Sequence, residues 1–176
     1  MLDKKRIKEA ELNVRSYLQE GLLKKTDQNE QILNVFLQNG KESLKVADEI
    51  YSQNLSDLWV IVCSYYAMYY YANAALLNFG YKVGEKIVHK VTSDALIVYI
   101  RKKLTESLLE EYEEMREEAL NLAGARADQL VESFDYERNK RSFIQYKTIE
   151  TEKRKKATTS LKRAKEFTAE IEKLML

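Results

Sequence analysis

The chain has 176 residues, 45% of them apolar and 32% charged, with a formal net charge of +1, no proline, five glycines, one histidine and one cysteine. This composition suits one globular domain with a sizeable core and excludes a disordered chain. The lone Cys63 excludes an intramolecular disulfide and a thiolate metal cluster, and it fits a reducing, cytoplasmic setting.

With so few chain breakers, long helices are expected. The opening MLDKKRIKEAEL has no apolar signal core. A first helix over about residues 3–25 sets Ile7, Leu12, Val14, Leu18 and Leu22 near helical spacing. Asp27 is placed to cap a second helix carrying Ile32, Val35, Phe36, Leu44, Ala47 and Ile50, with Gly40 as its point of break or kink. Ser56 is a good N-cap and Gly80 a good stop for a third helix, DLWVIVCSYYAMYYYANAALLNF. That helix is apolar or small on nearly every side, so it belongs at the centre of a bundle. Ser64, Asn73 and the many tyrosines interrupt it, which favours a core helix over a membrane span.

After the loop Tyr81–Gly84, a fourth helix carries Ile87, Val88, Val91, Ala95, Leu96, Val98 and Tyr99. A fifth opens at Thr105 and Leu108, and Leu108, Tyr112, Met115, Ala119 and Leu122 form a seam at alternating four- and three-residue steps. Gly124 weakens it, and Leu130 and Phe134 continue the seam. A last helix runs from about 155 to 174, with Leu161, Ala164, Phe167, Ile171 and Leu174 on one face. No stretch alternates as a strand. The expected fold is all-α, a single domain over residues 1–176 built as an up-and-down antiparallel bundle of five to six helices.

Charge is unevenly placed. Residues 104–137 hold eleven acidic and two basic residues, and residues 138–165 hold eleven basic and two acidic ones. Two solvated helix faces that attract each other explain this, and so does a basic surface aimed at phosphate; charge alone favours the first. No carboxylate–histidine metal motif, nucleophile elbow or phosphate-cradling glycine loop is present, so no metal or cofactor is called for. His89 is expected to pack or cap. The tyrosine run suggests a base-stacking platform, but Tyr65, Met68, Ala72, Ala75 and Leu76 at helical spacing fit a core face better.

The stretch YERNKRSFIQY is different. On one helix, Leu130, Phe134, Arg138, Arg141 and Gln145 share a face, so an apolar stripe runs directly into two arginines. Burying an arginine is costly without an anion, so the helix either leaves the core there or lines a polar cleft. The anion is a protein carboxylate, a nucleotide or an RNA phosphate. The arginine fork suits phosphate, and Asn139 can add a hydrogen bond.

SYYAMYYYANAALLNFGYKVG with the following His89, and RNKRSFIQYKT with the later LKRAKEFTAEI, resemble the HEPN domains (higher eukaryotes and prokaryotes nucleotide-binding) over about residues 30–174. The resemblance implies a homodimer whose Arg-rich cleft binds a nucleotide or RNA phosphate, or a nucleotidyltransferase-type partner protein, with phosphate contacts from Arg138, Asn139 and Arg141. It also implies an alternative, a metal-independent endoribonuclease of a toxin–antitoxin system, in which an Arg stabilises the phosphate and a His four to six residues on moves protons. From Arg138 that His position falls on Phe143, and from Arg141 on Tyr146. The catalytic assignment therefore reduces to Arg141 with Tyr146, whose phenol is a poor base at neutral pH. A third reading is a structural bundle whose arginines answer the acidic fifth helix.

Overall fold

Three of the helices start at a side chain that accepts a backbone N–H. Asp3 accepts from Arg6 at 2.6 Å, Asn29 from Ile32 at 3.1 Å and Ser56 from Trp59 at 3.4 Å. Each such cap contributes about 1 kcal/mol. In the computed structural model, residues 3–135 and 146–175 are described. Their α-helices are α1 (Lys4–Glu20), α2 (Glu30–Ser52), α3 (Asp57–Asn78), α4 (Val88–Ala95), α5 (Glu106–Asp135) and α6 (Tyr146–Met175). This is the expected all-α bundle. No helix among the described residues is long and apolar enough to cross a membrane.

Several local expectations are corrected. The first helix ends at Glu20, because Gly21 adopts φ 72°, a left-handed cap that turns the chain. Residues beyond it form a short strand β1 (Leu23–Lys25), antiparallel to β2 (Tyr81–Val83), with Leu23 opposite Val83 and Lys25 opposite Tyr81. Strands of three residues are too short for alternation to show in the sequence. Asn29, and not Asp27, caps α2. The fourth helix stops at Ala95 and continues as a π-helical turn, Leu96–Ile100, and a 3-10 turn, Arg101–Lys103. The last helix begins at Tyr146, earlier than its apolar face suggests, and α5 passes Gly124 unbroken.

α3 is the central element, as its composition requires. Fourteen of its 22 residues are buried, from Val60 to Leu77. α2 runs antiparallel to it: Gln28 bonds the Asn78 carbonyl at 2.9 Å near one end, and Tyr51 lies by the Arg154–Asp57 pair at the other. α6 runs parallel to α3, tied by Arg154 to Asp57 at 2.9 Å and by the Tyr71 hydroxyl to Glu172 at 2.6 Å. α5 is antiparallel to α6, with Arg163 on Glu114 at 2.8 Å and Lys156 on Glu118 at 3.1 Å. The predicted seam packs: Leu108, Tyr112, Met115 and Ala119 are buried, and so are Leu161, Ala164, Phe167 and Ile171 of α6.

Gly40 neither breaks nor kinks α2. It is buried against Tyr71, and a Cβ there would meet two ring atoms at 2.6 and 2.7 Å. Among the described residues, a Cβ on Gly124 would meet nothing within 4 Å. The helix propensity of alanine over glycine is worth about 1 kcal/mol, and overpacking a core costs about 1–3 kcal/mol. Tyr71 is held by Glu172 and cannot swing freely, so overpacking should win at Gly40. Gly40→Ala is expected to lower stability by about 1–2 kcal/mol, and Gly124→Ala to raise it by up to about 1 kcal/mol. Urea unfolding followed by circular dichroism measures both.

Candidate functional site

The described part of the chain holds two clusters of titratable side chains, joined on α5. The first is buried and unites α1, α4 and α5. Asp94, with no exposed side-chain surface, sits on α4 in the otherwise uncharged and buried run VTSDAL. Arg6 of α1 pairs with it at 2.7 Å and forks onto Glu113 of α5, with Nη2 at 2.6 Å and Nε at 3.1 Å. Asn13 and Tyr17, one turn apart on α1, donate to the second Asp94 oxygen at 3.0 and 2.9 Å. Ser93 donates to Glu113 at 2.7 Å, and Arg116 approaches the same oxygen at 3.6 Å.

Two cations thus face two carboxylates. Burial works against the Arg6 cation, but Glu113 and Asp94 outweigh it and hold its pKa above the ordinary value. Burial and Asp94 push the Tyr17 phenol up, so it keeps its proton and donates it. This constellation clamps three helices together, and its two cations balance its two carboxylates, although Arg6 Nη1 and Arg116 Nη1 are buried without a hydrogen-bond partner among the described residues. It was not legible in the sequence, where its one signal is a carboxylate set among uncharged residues on a helix.

The second cluster is aromatic. His89, near the start of α4, bonds the Tyr65 hydroxyl through Nδ1 at 2.8 Å. Its ring lies 4.7 Å from that of Tyr69 and 5.8 Å from that of Tyr66. Ile87, just before α4, takes φ 43°. That left-handed conformation is strained for a β-branched residue, and it marks the bend from which His89 meets α3. Tyr65 is fully buried, and its ring lies 6.0 Å from the buried Tyr112, whose helix carries Arg116 one turn on. Tyr66, Tyr69, Tyr70 and His89 are half-buried and form one surface. The expected core residues Tyr65, Met68, Ala72, Ala75 and Leu76 are indeed buried. Tyr71 is buried as well, whereas Tyr66, Tyr69 and Tyr70 are half-buried.

His89 packs as expected, without capping. When Tyr65 donates to Nδ1, the ring proton sits on Nε2. Burial first, and then the charge of Arg116, lower its pKa from the ordinary 6.5. The imidazole is therefore neutral at pH 7, with its one acceptor nitrogen engaged by Tyr65.

Arg138, Asn139, Arg141 and Phe143 lie outside the described residues. Tyr146 is the first residue of α6. The tertiary structure brings Tyr65, Tyr112 and Arg116 to His89. A groove of about 610 Å³ between α5 and α6 collects both charge signs, from Glu114, Glu117 and Glu118 on one side and Lys155, Lys156 and Arg163 on the other. Compared with protein-family models, curated proteins and solved structures, the chain gives no match.

The His89 shift has a sign. Its folded pKa lies below the unfolded value, so the unfolded chain takes up the proton first as pH falls through about 6.5. The stability tied to neutral His89 is complete above that value and declines below it, until the folded pKa is passed. His89→Gln removes this contribution. The stability difference between the parent and the variant is expected to shrink from about pH 7.5 to about pH 5, read from urea midpoints across that range.

Proposed function

We propose that the chain is a HEPN-like domain that binds the phosphate of a nucleotide or of RNA through Arg138, Asn139 and Arg141, in a cleft completed by a second copy. The observation that carries this reading is how α6 uses its positive charge. Arg154 answers Asp57, Lys156 answers Glu118, Arg163 answers Glu111 and Glu114, and Lys165 answers Asp48. Lys162 and Lys173 have Glu166 and Glu170 on their own helix. The basic run 138–165 is therefore not one continuous phosphate-binding stripe. Much of its later part balances carboxylates of this chain, and the anion-binding reading contracts to Arg138, Asn139 and Arg141, between α5 and α6 in the sequence.

Arginine suits that task, because its planar fork matches two phosphate oxygens and stays charged at any physiological pH. A nucleotidyltransferase-type partner would meet the same cations, and RNA would meet them with a steep salt dependence. Cleavage, with Arg141 and Tyr146 as the reacting pair, is the less supported alternative. The single imidazole, His89, is packed on α3 tyrosines and bonded to one of them.

The test is a titration of ATP and of a labelled RNA oligonucleotide against the parent chain, Arg138→Ala/Arg141→Ala and Arg163→Ala. A hydrogen bond to a charged group is worth about 1.5–3 kcal/mol, so the double variant is expected to lose at least about 10-fold in affinity. Arg163→Ala, which breaks an α5–α6 pair, is expected to change it by less than about 2-fold. Equal affinity in the parent and the double variant rejects the reading. RNA cleavage that disappears with Arg141→Ala moves the assignment to the nuclease.

A further inference from the structure

The cations of α6 answer carboxylates of the chain, but those at the end of the bundle where α1 and α3 stop do not. Three separate segments meet there. Residues 20–29 and 79–87 are joined by β1 and β2. Residues 96–103 reach them where the Tyr99 ring stacks on Tyr81 at 3.8 Å and the Lys103 ammonium lies 5.1 Å from the centre of the Phe79 ring. Together the three segments carry seven cations and three carboxylates. Among the described residues, none of the seven forms an ion pair. The register of the sheet sharpens this, because Lys24 lies directly opposite Lys82. Gly84 donates to the Leu22 carbonyl at 2.8 Å and Thr26 to that of Gly80 at 3.0 Å. Lys24 and Lys82 are therefore the hydrogen-bonded pair between them, with Cα atoms about 5.5 Å apart and both side chains on one face. Like charges so placed are destabilising. Both lysines are exposed, and with Lys86 they line a cleft of about 440 Å³. Glu20 and Glu85 line it too; Glu20 accepts from the Ser16 hydroxyl at 2.5 Å, and among the described residues neither carboxylate pairs with a lysine.

We propose that this cleft binds a compact oligophosphate anion, with adjacent phosphate groups held by Lys24, Lys82 and Lys86. An anion between Lys24 and Lys82 turns their repulsion into two attractions, which gives a reason for an otherwise unfavourable pair. Lysine suits the task, because its ammonium is a compact charge with three donors on a flexible stem. A single phosphate group gathers its oxygens in a small volume. Three ammonium groups on separate stems reach further than that, and an anion with several phosphates uses all of them. The lining contains no aromatic ring, so the cleft offers a nucleobase no stacking platform and recognises the phosphates alone. In this it differs from the nucleotide or RNA reading of Arg138 and Arg141, on which it does not rest. The same chemistry occurs free in solution, as inorganic polyphosphate, and on a membrane, as the phosphorylated inositol headgroup of a lipid.

Calorimetric titration of the full chain with sodium tripolyphosphate at low salt tests the proposal. Three double variants accompany the parent: Lys24→Gln/Lys82→Gln, Lys24→Arg/Lys82→Arg and Arg138→Ala/Arg141→Ala. The parent is expected to bind, and the glutamine variant to lose at least about 10-fold in affinity. The arginine variant keeps the charges and is expected to stay within about 3-fold of the parent. Arg138→Ala/Arg141→Ala is expected to retain the tripolyphosphate site. The glutamine variant is also expected to unfold at a urea concentration equal to or above the parent's, because it removes a like-charge pair. Co-sedimentation with phosphatidylcholine vesicles carrying phosphatidylinositol bisphosphate separates the two sources. Pelleting that tripolyphosphate reverses assigns the lipid headgroup, and tripolyphosphate binding without pelleting assigns the free anion. A parent that binds no tripolyphosphate overturns the inference, as does a glutamine variant that binds it equally well. A loss confined to Arg138→Ala/Arg141→Ala, or equal in that variant and the glutamine variant, overturns it too. A lowered urea midpoint in the glutamine variant gives the two lysines a structural role and removes the premise.

Discussion

The burial of α3 is the constraint on which the rest of the structure depends. A helix this apolar must be covered on most of its circumference, and the other elements are arranged to do it. α2 approaches through Gly40, where the absent Cβ admits the Tyr71 ring. α6 runs alongside, and Glu172 takes the hydroxyl of that same tyrosine. α5 closes a third side with Tyr112, whose ring meets both Tyr65 and Phe167. The small sheet fastens the loop after α3 to the loop after α1, with Leu23 fully buried.

The fourth side is closed by polar chemistry. α4 is only eight residues long and brings a fully buried carboxylate, Asp94, into the bundle. A carboxylate in that position costs several kcal/mol unless it is paired and hydrogen-bonded. Arg6, Asn13 and Tyr17 meet that requirement from α1, and Glu113 completes the set from α5. The arrangement is stringent, because removing one partner leaves another buried and unmatched. It ties α1, which precedes α4 in the chain, and α5, which follows it, to the same short helix. Next to it, His89 is kept neutral by the same burial and by the charge of Arg116.

The molecule also divides its surfaces by charge. The α5–α6 side is dense in ions of both signs, which pair across the two helices. By contrast, Trp59 of α3 and Val35 and Val46 of α2 are about half exposed. An ion-paired side is compatible with solvent or with a charged ligand. The acidic-to-basic switch at Arg138, which stands out in the sequence, is in large part an internal matter of this chain.

Much of the fold was legible in the sequence. The lack of proline, the caps at Ser56 and Gly80, the all-round apolarity of α3 and the seam from Leu108 to Ala119 led to an all-α bundle with α3 inside, because helix periodicity and capping are local properties of the chain. The short strands were not legible, since three residues carry too little pattern. The role of Gly40 was not either, because whether a glycine breaks a helix or seats a neighbour depends on what lies opposite. The same holds for the candidate sites. Sequence alone singled out Arg138, Asn139, Arg141 and Tyr146, through their residue types and a family resemblance. Only the tertiary structure brought Arg6 to Asp94 across 88 residues, set His89 on Tyr65, and left Trp59 of the central helix half exposed. Pairings of that kind are long-range, and no local pattern of residues encodes which side of a helix its own chain will leave uncovered.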